Sequence, residues 1–417
     1  MFGVGPELDG YFLALIVPTL ISGVLAGLLQ TSLFPVRAKL ATEQGMPVVA
    51  RFERGVLLIL LLIGISVAGI SIIAAPQLIE WSGDRLTPSV YEAALFVLPF
   101  AALLIPLNAV GDGLGYLLAM RDRYPIAAAA PIANALFGSA LLALWPQGGI
   151  INLALGTVIG LALQVTICLV GLAKSKFHIF GSLPAREEFN QEWREMARLS
   201  TWILPGVIFA NLTATLPIAL IAAYGEGSVS AFSYAWRFHQ FAIQFLIMAA
   251  SPMLIARFAQ LVASRNEVQI QDLLKKAIWF SAGIGVLSIT AVALIGEPLL
   301  RLLFGGRFDE TAAHNVWEYW MLLTIALGPA LLGNIYSKVW QARARPGFMT
   351  VLAGFGFGVF YLSAMTLSDG FGSNSVPIAI GLSGLAVMIF GWKTAWCPST
   401  RRSKSDISQS VFKKGDL

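Results

Sequence analysis

Eleven apolar runs of about twenty residues constrain this chain more than any other feature. They fall at 10–34, 55–76, 91–119, 126–145, 150–172, 199–224, 230–255, 277–296, 316–340, 347–367 and 376–395. A helix needs about 20 residues to cross ~30 Å of hydrocarbon, and an open sheet edge in lipid leaves backbone groups unpaired. The runs therefore predict an all-α polytopic membrane protein with about eleven transmembrane helices. Composition agrees: 57% of the residues are hydrophobic, only 12% are charged, and the mean hydropathy is +0.75. A soluble domain is roughly a quarter charged. "PQGGI" after Trp145 and "GEGSVS" after Tyr224 suit short turns between antiparallel spans.

The connecting segments alternate in charge. One set carries Arg37, Lys39, Arg51 and Arg54, then Arg121 and Arg123, then Lys174, Lys176, Arg186, Arg194 and Arg198. It continues with Arg257, Arg265, Lys275 and Lys276, then Lys338, Arg343 and Arg345, and ends with Lys393, Arg401, Arg402, Lys404, Lys413 and Lys414. The opposite set carries Arg85, Arg301 and Arg307, and Arg237 falls well inside a span. Such a bias follows the positive-inside rule. It predicts a cytoplasmic C-terminus and an external N-terminus. The net charge of +5 is thus a topology signal, and no nucleic-acid partner is expected. Cys168 and Cys397 suggest no disulfide, and His178, His239 and His314 lack ligand spacing, so no metal is expected. No Gly-rich phosphate loop, nucleophile elbow or cleavable leader is visible. No cofactor and no enzymatic activity are expected.

The chain repeats weakly at a spacing of about 220. "AAPQLIEW" from Ala74 answers "GEPLLRLLFGG" from Gly296, "VYEAALFVLPF" answers "VWEYWMLLTIA", and Arg121 and Arg123 answer Arg343 and Arg345. Matched elements carry the same loop charge, so the repeat is parallel, about an axis along the membrane normal. The expected organisation is an N-terminal lobe at 1–172, a cytoplasmic linker at 173–198 with an amphipathic surface helix, a C-terminal lobe at 199–395, and a basic cytoplasmic tail at 396–417. The two lobes would surround a central cavity.

The run 230–255 carries a polar stripe. Ser230, Ser233, Arg237, Gln240, Gln244 and Ser251 are spaced by three, four, three, four and seven, which is one helical face. A charge at mid-bilayer costs about 2.5–3.5 kcal/mol, so the stripe should face protein or water. Thinner strips occur at Asn108, Asp112 and Tyr116, at Thr19, Ser22, Ala26 and Gln30, at Asn211 and Thr215, and at Asn334, Lys338 and Gln341. Arg237 is either a substrate contact or a structural cation paired with Asp112 or a carbonyl. Asp112 is either a structural partner or an ion-coupling site. The smaller polar pairs are interhelical glue or ligands, and His239 lies off the stripe as a packing residue.

Several stretches together resemble the MurJ/MviN-type lipid II flippases, in the superfamily of multidrug and polysaccharide exporters. They are "ELDGYFLALIVPTLISGVLAGLLQTSLFPV" from Glu7, "EGSVSAFSYAWRFHQF" from Glu226, "EPLLRLLFGGRFDETAAH" from Glu297 and "YSKVWQARARPGFMTV" from Tyr336. The resemblance implies two parallel lobes and alternating access for a polyprenyl-pyrophosphate-linked sugar in the bacterial inner membrane. It places Arg237 at the pyrophosphate and matches Asp9 to the family's aspartate at the start of its second helix. The chain departs from the family pattern: the family has one more helix before residue 7 and two more at its end. Ser22 and Gly23 stand where a basic pair is expected, Gly27 where a glutamate is, and Trp236 where an acidic residue is.

The resulting expectation is a flippase for a lipid II-like or exopolysaccharide precursor, with Arg237, Gln240, Gln244, Ser233, Asp9 and Asn108 contacting substrate. Membrane lipids and cell-envelope biosynthesis proteins are the further expected partners. Two alternatives stand beside it: an ion-coupled small-molecule antiporter using Asp112 or Asp9, and a non-transporting cell-envelope scaffold.

Overall fold

Proline and glycine punctuate a chain that is otherwise helix after helix. The computed structural model describes residues 3–74, 77, 86–175, 177–178, 181–185, 188–264, 266–304, 310–343 and 347–396. Pro76, Arg85, Lys176, Arg186, Arg265, Arg307, Arg345, Cys397 and the tail at 397–417 lie outside the described residues, as does the side chain of Ser251. The first half holds α1 (Pro6–Ala14), α2 (Ile16–Gln44), α3 (Met46–Ile73), α4 (Pro88–Ala119), α5 (Tyr124–Leu144) and α6 (Gly149–Ala173). The second holds α7 (Asn190–Ile221), α8 (Ser228–Ala263), α9 (Glu267–Ala291), α10 (Glu297–Leu303), α11 (Glu310–Ile325), α12 (Leu327–Ala342), α13 (Gly347–Phe371) and α14 (Ser375–Trp396). A π-helical segment, Val292–Gly296, joins α9 to α10.

Each expected span falls mainly on helix where it is described, with breaks at Leu15 and Ala326. By length and composition, eight helices among the described residues could cross a membrane, or nine if the bent pair α11–α12 is one span. That pair bends by 41° at Ala326, close to Pro329. One of the eight, Gly347–Ala395, covers two expected spans in 49 residues. Straight, it would run about 70 Å, more than twice the bilayer core. It folds back instead at Gly372–Asn374, and the Ser383 hydroxyl donates to the Gly356 carbonyl at 2.7 Å across the hairpin. α8, which carries the polar stripe, is 36 residues long and is not among the eight.

From Asn190 on, the amphipathic stretch expected at the membrane surface is continuous with the span that follows it. α7 runs unbroken from Asn190 to Ile221, because nothing near residue 198 breaks a helix. α7 packs along α2 so closely that a Cβ at Gly27 would lie 2.7 Å from Val207, and one at Gly23 would collide with Asn211. Its other side meets α13, where Phe209 stacks on Phe357 at 5.4 Å between ring centroids.

Buried apolar residues form clusters that differ between the two ends of the bundle. One large core lies at the end of the Gly225–Gly227 turn. It mixes both halves, with Phe12, Val90 and Val97 beside Phe232, Val316 and Phe360. Toward the other end the core is split. Leu33, Val49, Phe52, Leu117, Leu172 and Phe189 pack together, while Phe258, Leu274, Tyr336, Trp340 and Leu352 form a separate cluster.

Candidate functional site

Arg237 sits on α8 beneath the shared core. Nine residues separate it from the helix start, roughly 14 Å at 1.5 Å per residue. Its side chain is exposed, and its guanidinium carbon lies 5.2 Å from the ring centroid of Phe12 on α1. The arginine thus stands where the two halves meet and rests on an aromatic face by cation–π attraction. Among the described residues it has no carboxylate partner.

The stripe divides along its length. Ser230 and Ser233 are 0% and 3% exposed, inside the shared core, and no partner is present for the Ser233 hydroxyl among the described residues. Gln240 is half-buried and Gln244 exposed. Sequence reasoning missed the rest of the open face. Phe241 and Phe245 are 71% and 67% exposed and stack at 6.3 Å. With Arg237 and Gln244 they follow the i, i+4, i+7, i+8 spacing of one face. A cation above two aromatic rings suits an amphiphile with an anionic head. The signal was available as that spacing, but it was masked by reading every Phe as lipid-facing or packed.

Asp9 has a different place from the expected ligand position. It is 1% exposed, and its two carboxylate oxygens accept from the backbone N–H groups of Gly227 and Ser230, each at 2.6 Å. The first N–H groups of a helix have no intrahelical acceptors, and the helix dipole favours an anion there. Asp9 of the first half therefore caps α8 of the second. The tight turn before α8 makes room for it: Gly225 and Gly227 have φ of +103° and +84°, where a side chain is strained. Beside it the Glu226 carboxylate accepts from Thr87 at 2.7 Å and Ser89 at 2.6 Å, again across the halves. Those two hydroxyls hold the Glu226 carboxyl below the usual carboxylate range.

Asn108 and Asp112 do not join Arg237. On α4 they lie 20 and 24 residues from the helix start at the clasped end, roughly 30 and 36 Å deep. Both are half-buried, and no ion pair involves Asp112 among the described residues. The pairing of Arg237 with Asp112 is therefore absent. The nearby Tyr116 hydroxyl reaches the Ala26 carbonyl at 3.5 Å. Asn211 and Thr215 bond back to carbonyls of their own helix, at 2.8 and 2.9 Å, rather than across helices. His239 is 3% exposed inside the second half, against Trp236.

The split end has its own locks, and they too escaped the sequence. Glu53 is fully buried and pairs with Arg37 at 2.8 Å and with Arg121. Arg121 also lies over the ring of Phe177 at 4.6 Å. In the second half Arg343 pairs with Glu267 at 2.7 Å and donates to the Ala395 carbonyl at 2.9 Å.

Residues 1–407 match the family described as lipid II flippase MurJ. The chain belongs to the MurJ lipid II flippase family. A probable lipid II flippase MurJ of Rhizobium meliloti (strain 1021) is 24% identical over 416 residues, covering 94% of this chain and 76% of the relative. A MurJ structure in an inward closed conformation superposes with a TM-score of 0.78 at 17% identity, over 95% of this chain and 82% of that one. An inward-facing multidrug transporter of the MATE family gives 0.79 at 16% identity, over 100% and 93%. An outward-facing MATE transporter gives 0.60 at 15% identity, over 94% and 85%. As a MurJ-family member the chain is a multi-pass membrane protein of a transporter family.

Proposed function

We propose that this chain carries a polyprenyl-pyrophosphate-linked sugar, lipid II or a related precursor, across the bacterial inner membrane by alternating access. The observation that carries the reading is Arg237: an exposed guanidinium without a carboxylate partner among the described residues, held at the junction of the halves. A guanidinium offers five donors in a planar fork, and pyrophosphate oxygens accept them in pairs. The polar stripe below it, Gln240 and Gln244, offers amides to the sugar, and Phe241 and Phe245 lie beside it for the prenyl chain. Ser233 and Asp9 support the seat from within the core, and Asn108 belongs to the deeper part of the path.

The state of the molecule fits the same reading. A shared core and an interhalf clasp close one end, while two separate cores leave the other end divided. Arg37, Arg121 and Arg343 mark the divided end, which by the positive-inside rule faces the cytoplasm. The N-terminus is then outside and the C-terminus inside. The better superposition on the inward-facing MATE transporter than on the outward-facing one supports an inward-facing state.

The experiment is a flipping assay. Purified protein enters vesicles carrying a fluorescent undecaprenyl-pyrophosphate sugar on one leaflet, and its arrival on the other is followed. Wild type moves the lipid, and Arg237→Gln abolishes movement while protein level and thermal unfolding stay unchanged. A variant that only destabilises the protein removes Arg237 from the site. A second reading, ion coupling at Asp112, draws on its half-buried carboxylate without an ion-pair partner. It predicts that an imposed proton or sodium gradient drives transport in wild type and no longer does so in Asp112→Asn.

A further inference from the structure

Behind the stripe, inside the second half, lies a cavity of about 250 Å³ between α8, α9, the π-helical segment, α11 and α12. It is separate from the junction where Arg237 sits. His239, two residues from Arg237, is turned about 200° around the helix and lines this cavity instead. Its walls are mainly apolar: Ala291, Val292, Leu299, Trp320 and Leu327. Among the described residues no lining side chain carries a carboxylate, guanidinium or ammonium group.

Three observations point to a ligand. The imidazole is 3% exposed and makes no hydrogen bond among the described residues, although a neutral ring carries one donor and one acceptor. Buried polar groups are ordinarily paired, so this one calls for an exchangeable partner. The wall includes the π-helical segment Val292–Gly296, a form that clusters at functional sites. The Val292 carbonyl is taken up by the Trp317 indole N–H at 2.9 Å, which fixes the widened turn. The mouth opens onto an exposed apolar surface: Ile295 and Leu299 line the cavity while 59% and 38% exposed, between Leu294 and Leu302 at 74% and 81%.

We propose that this cavity binds a long-chain alcohol entering from the bilayer, with its hydroxyl against His239. A hydroxyl both donates and accepts, which matches the two nitrogens of a neutral imidazole. The uncharged apolar lining disfavours an anionic head, since a buried charge needs a paired group. A dry cavity of about 150 Å³ already holds benzene, so this one has room for the end of a branched chain. The site is independent of the reading of Arg237.

The test is equilibrium binding of radiolabelled farnesol to the full chain in phosphatidylcholine nanodiscs, with empty nanodiscs as the control. Wild type binds saturably, one molecule per chain. His239→Phe keeps the ring's bulk and weakens binding about tenfold, as expected for one lost hydrogen bond. Ala291→Phe fills the cavity and removes binding. Ile295→Trp crowds the mouth from an exposed position and also removes it, without touching the core. Arg237→Gln leaves binding unchanged. Uptake equal to that of empty nanodiscs would overturn the proposal, as would binding that survives both Ala291→Phe and Ile295→Trp. Displacement by farnesyl phosphate with loss in Arg237→Gln would move the ligand to the junction and overturn it equally.

Discussion

The two ends of the bundle are held by opposite means. At the Glu226 end both halves share one core, and their polar contacts cross between halves: Asp9 to the start of α8, Thr87 and Ser89 to Glu226. At the other end the buried residues form two separate clusters, each with its own arginine–carboxylate lock, and α7 packs with the first of them through Trp193 on Phe52. Intrahalf locks tie helices of one half together there, whereas at the first end the polar contacts cross between halves over a shared core. The alternating access proposed above would use this division, with one shared surface opening while the helices of each half stay packed. The comparison also separates residues whose loss unfolds a lobe from residues whose loss changes which end is open.

The largest expected effect falls on a lock. Glu53→Ala leaves Arg37 and Arg121 buried without their shared anion, a loss of about 3–5 kcal/mol. Thermal unfolding of the purified protein in nanodiscs should drop accordingly, and an unchanged midpoint would mean the first half is not held from within. Next comes the α2–α7 seam. Gly27→Val presses against Val207, and overpacking of this kind costs about 1–3 kcal/mol, read from the same unfolding curves. A smaller and different effect is expected from the clasp. Asp9→Ala strips the cap from α8, typically about 1 kcal/mol. It should act on conformation: spin labels at Glu92→Cys and Asp369→Cys, with Cys168 and Cys397 replaced, should show a new longer distance. If the distances stay single and short, the clasp does not govern opening.

The smallest effect belongs to Glu226. Its carboxyl sits below the usual range because Ser89 and Thr87 donate to the ionised form. A carboxyl lowered on folding stabilises above its ordinary value and loses that contribution as pH falls through the lowered one. The same spin-label distances should therefore be constant from about pH 5.5 to 8 and lengthen only in stronger acid, given a reference value near 4.3. Glu226→Gln should weaken that acid response with little change at neutral pH, leaving the part that belongs to the Asp9 carboxylate.

Much of this molecule was legible because membranes impose local patterns. Apolar runs gave the helices, charge alternation gave the two ends, and a period near 3.6 put Arg237 on a polar face. The pattern could not tell an exposed serine from a buried one, so Ser230 and Ser233 were grouped with Gln244 although the structure buries them in the shared core. Nor could it show the partner of Asp9, which lies more than 200 residues away at the start of α8. Glu53 was hidden among Arg51, Arg54 and the other loop cations, all counted as topology signals. The join between the amphipathic stretch before residue 198 and the span after it was hidden for a plainer reason: amphipathicity marks which face is wet, and does not mark where a helix ends.

The contact between Arg237 and Phe12 bears on how tightly a ligand can be held. An aromatic ring attracts a guanidinium through its face, and uses none of the N–H bonds that radiate in the guanidinium plane. The long side chain is thereby steadied in advance, and much of the rotamer freedom that binding would have to remove is already gone. Among the described residues every donor nevertheless remains unspent. A lysine at the same position would keep the charge and lose the paired donors, so charge alone does not define this residue's contribution.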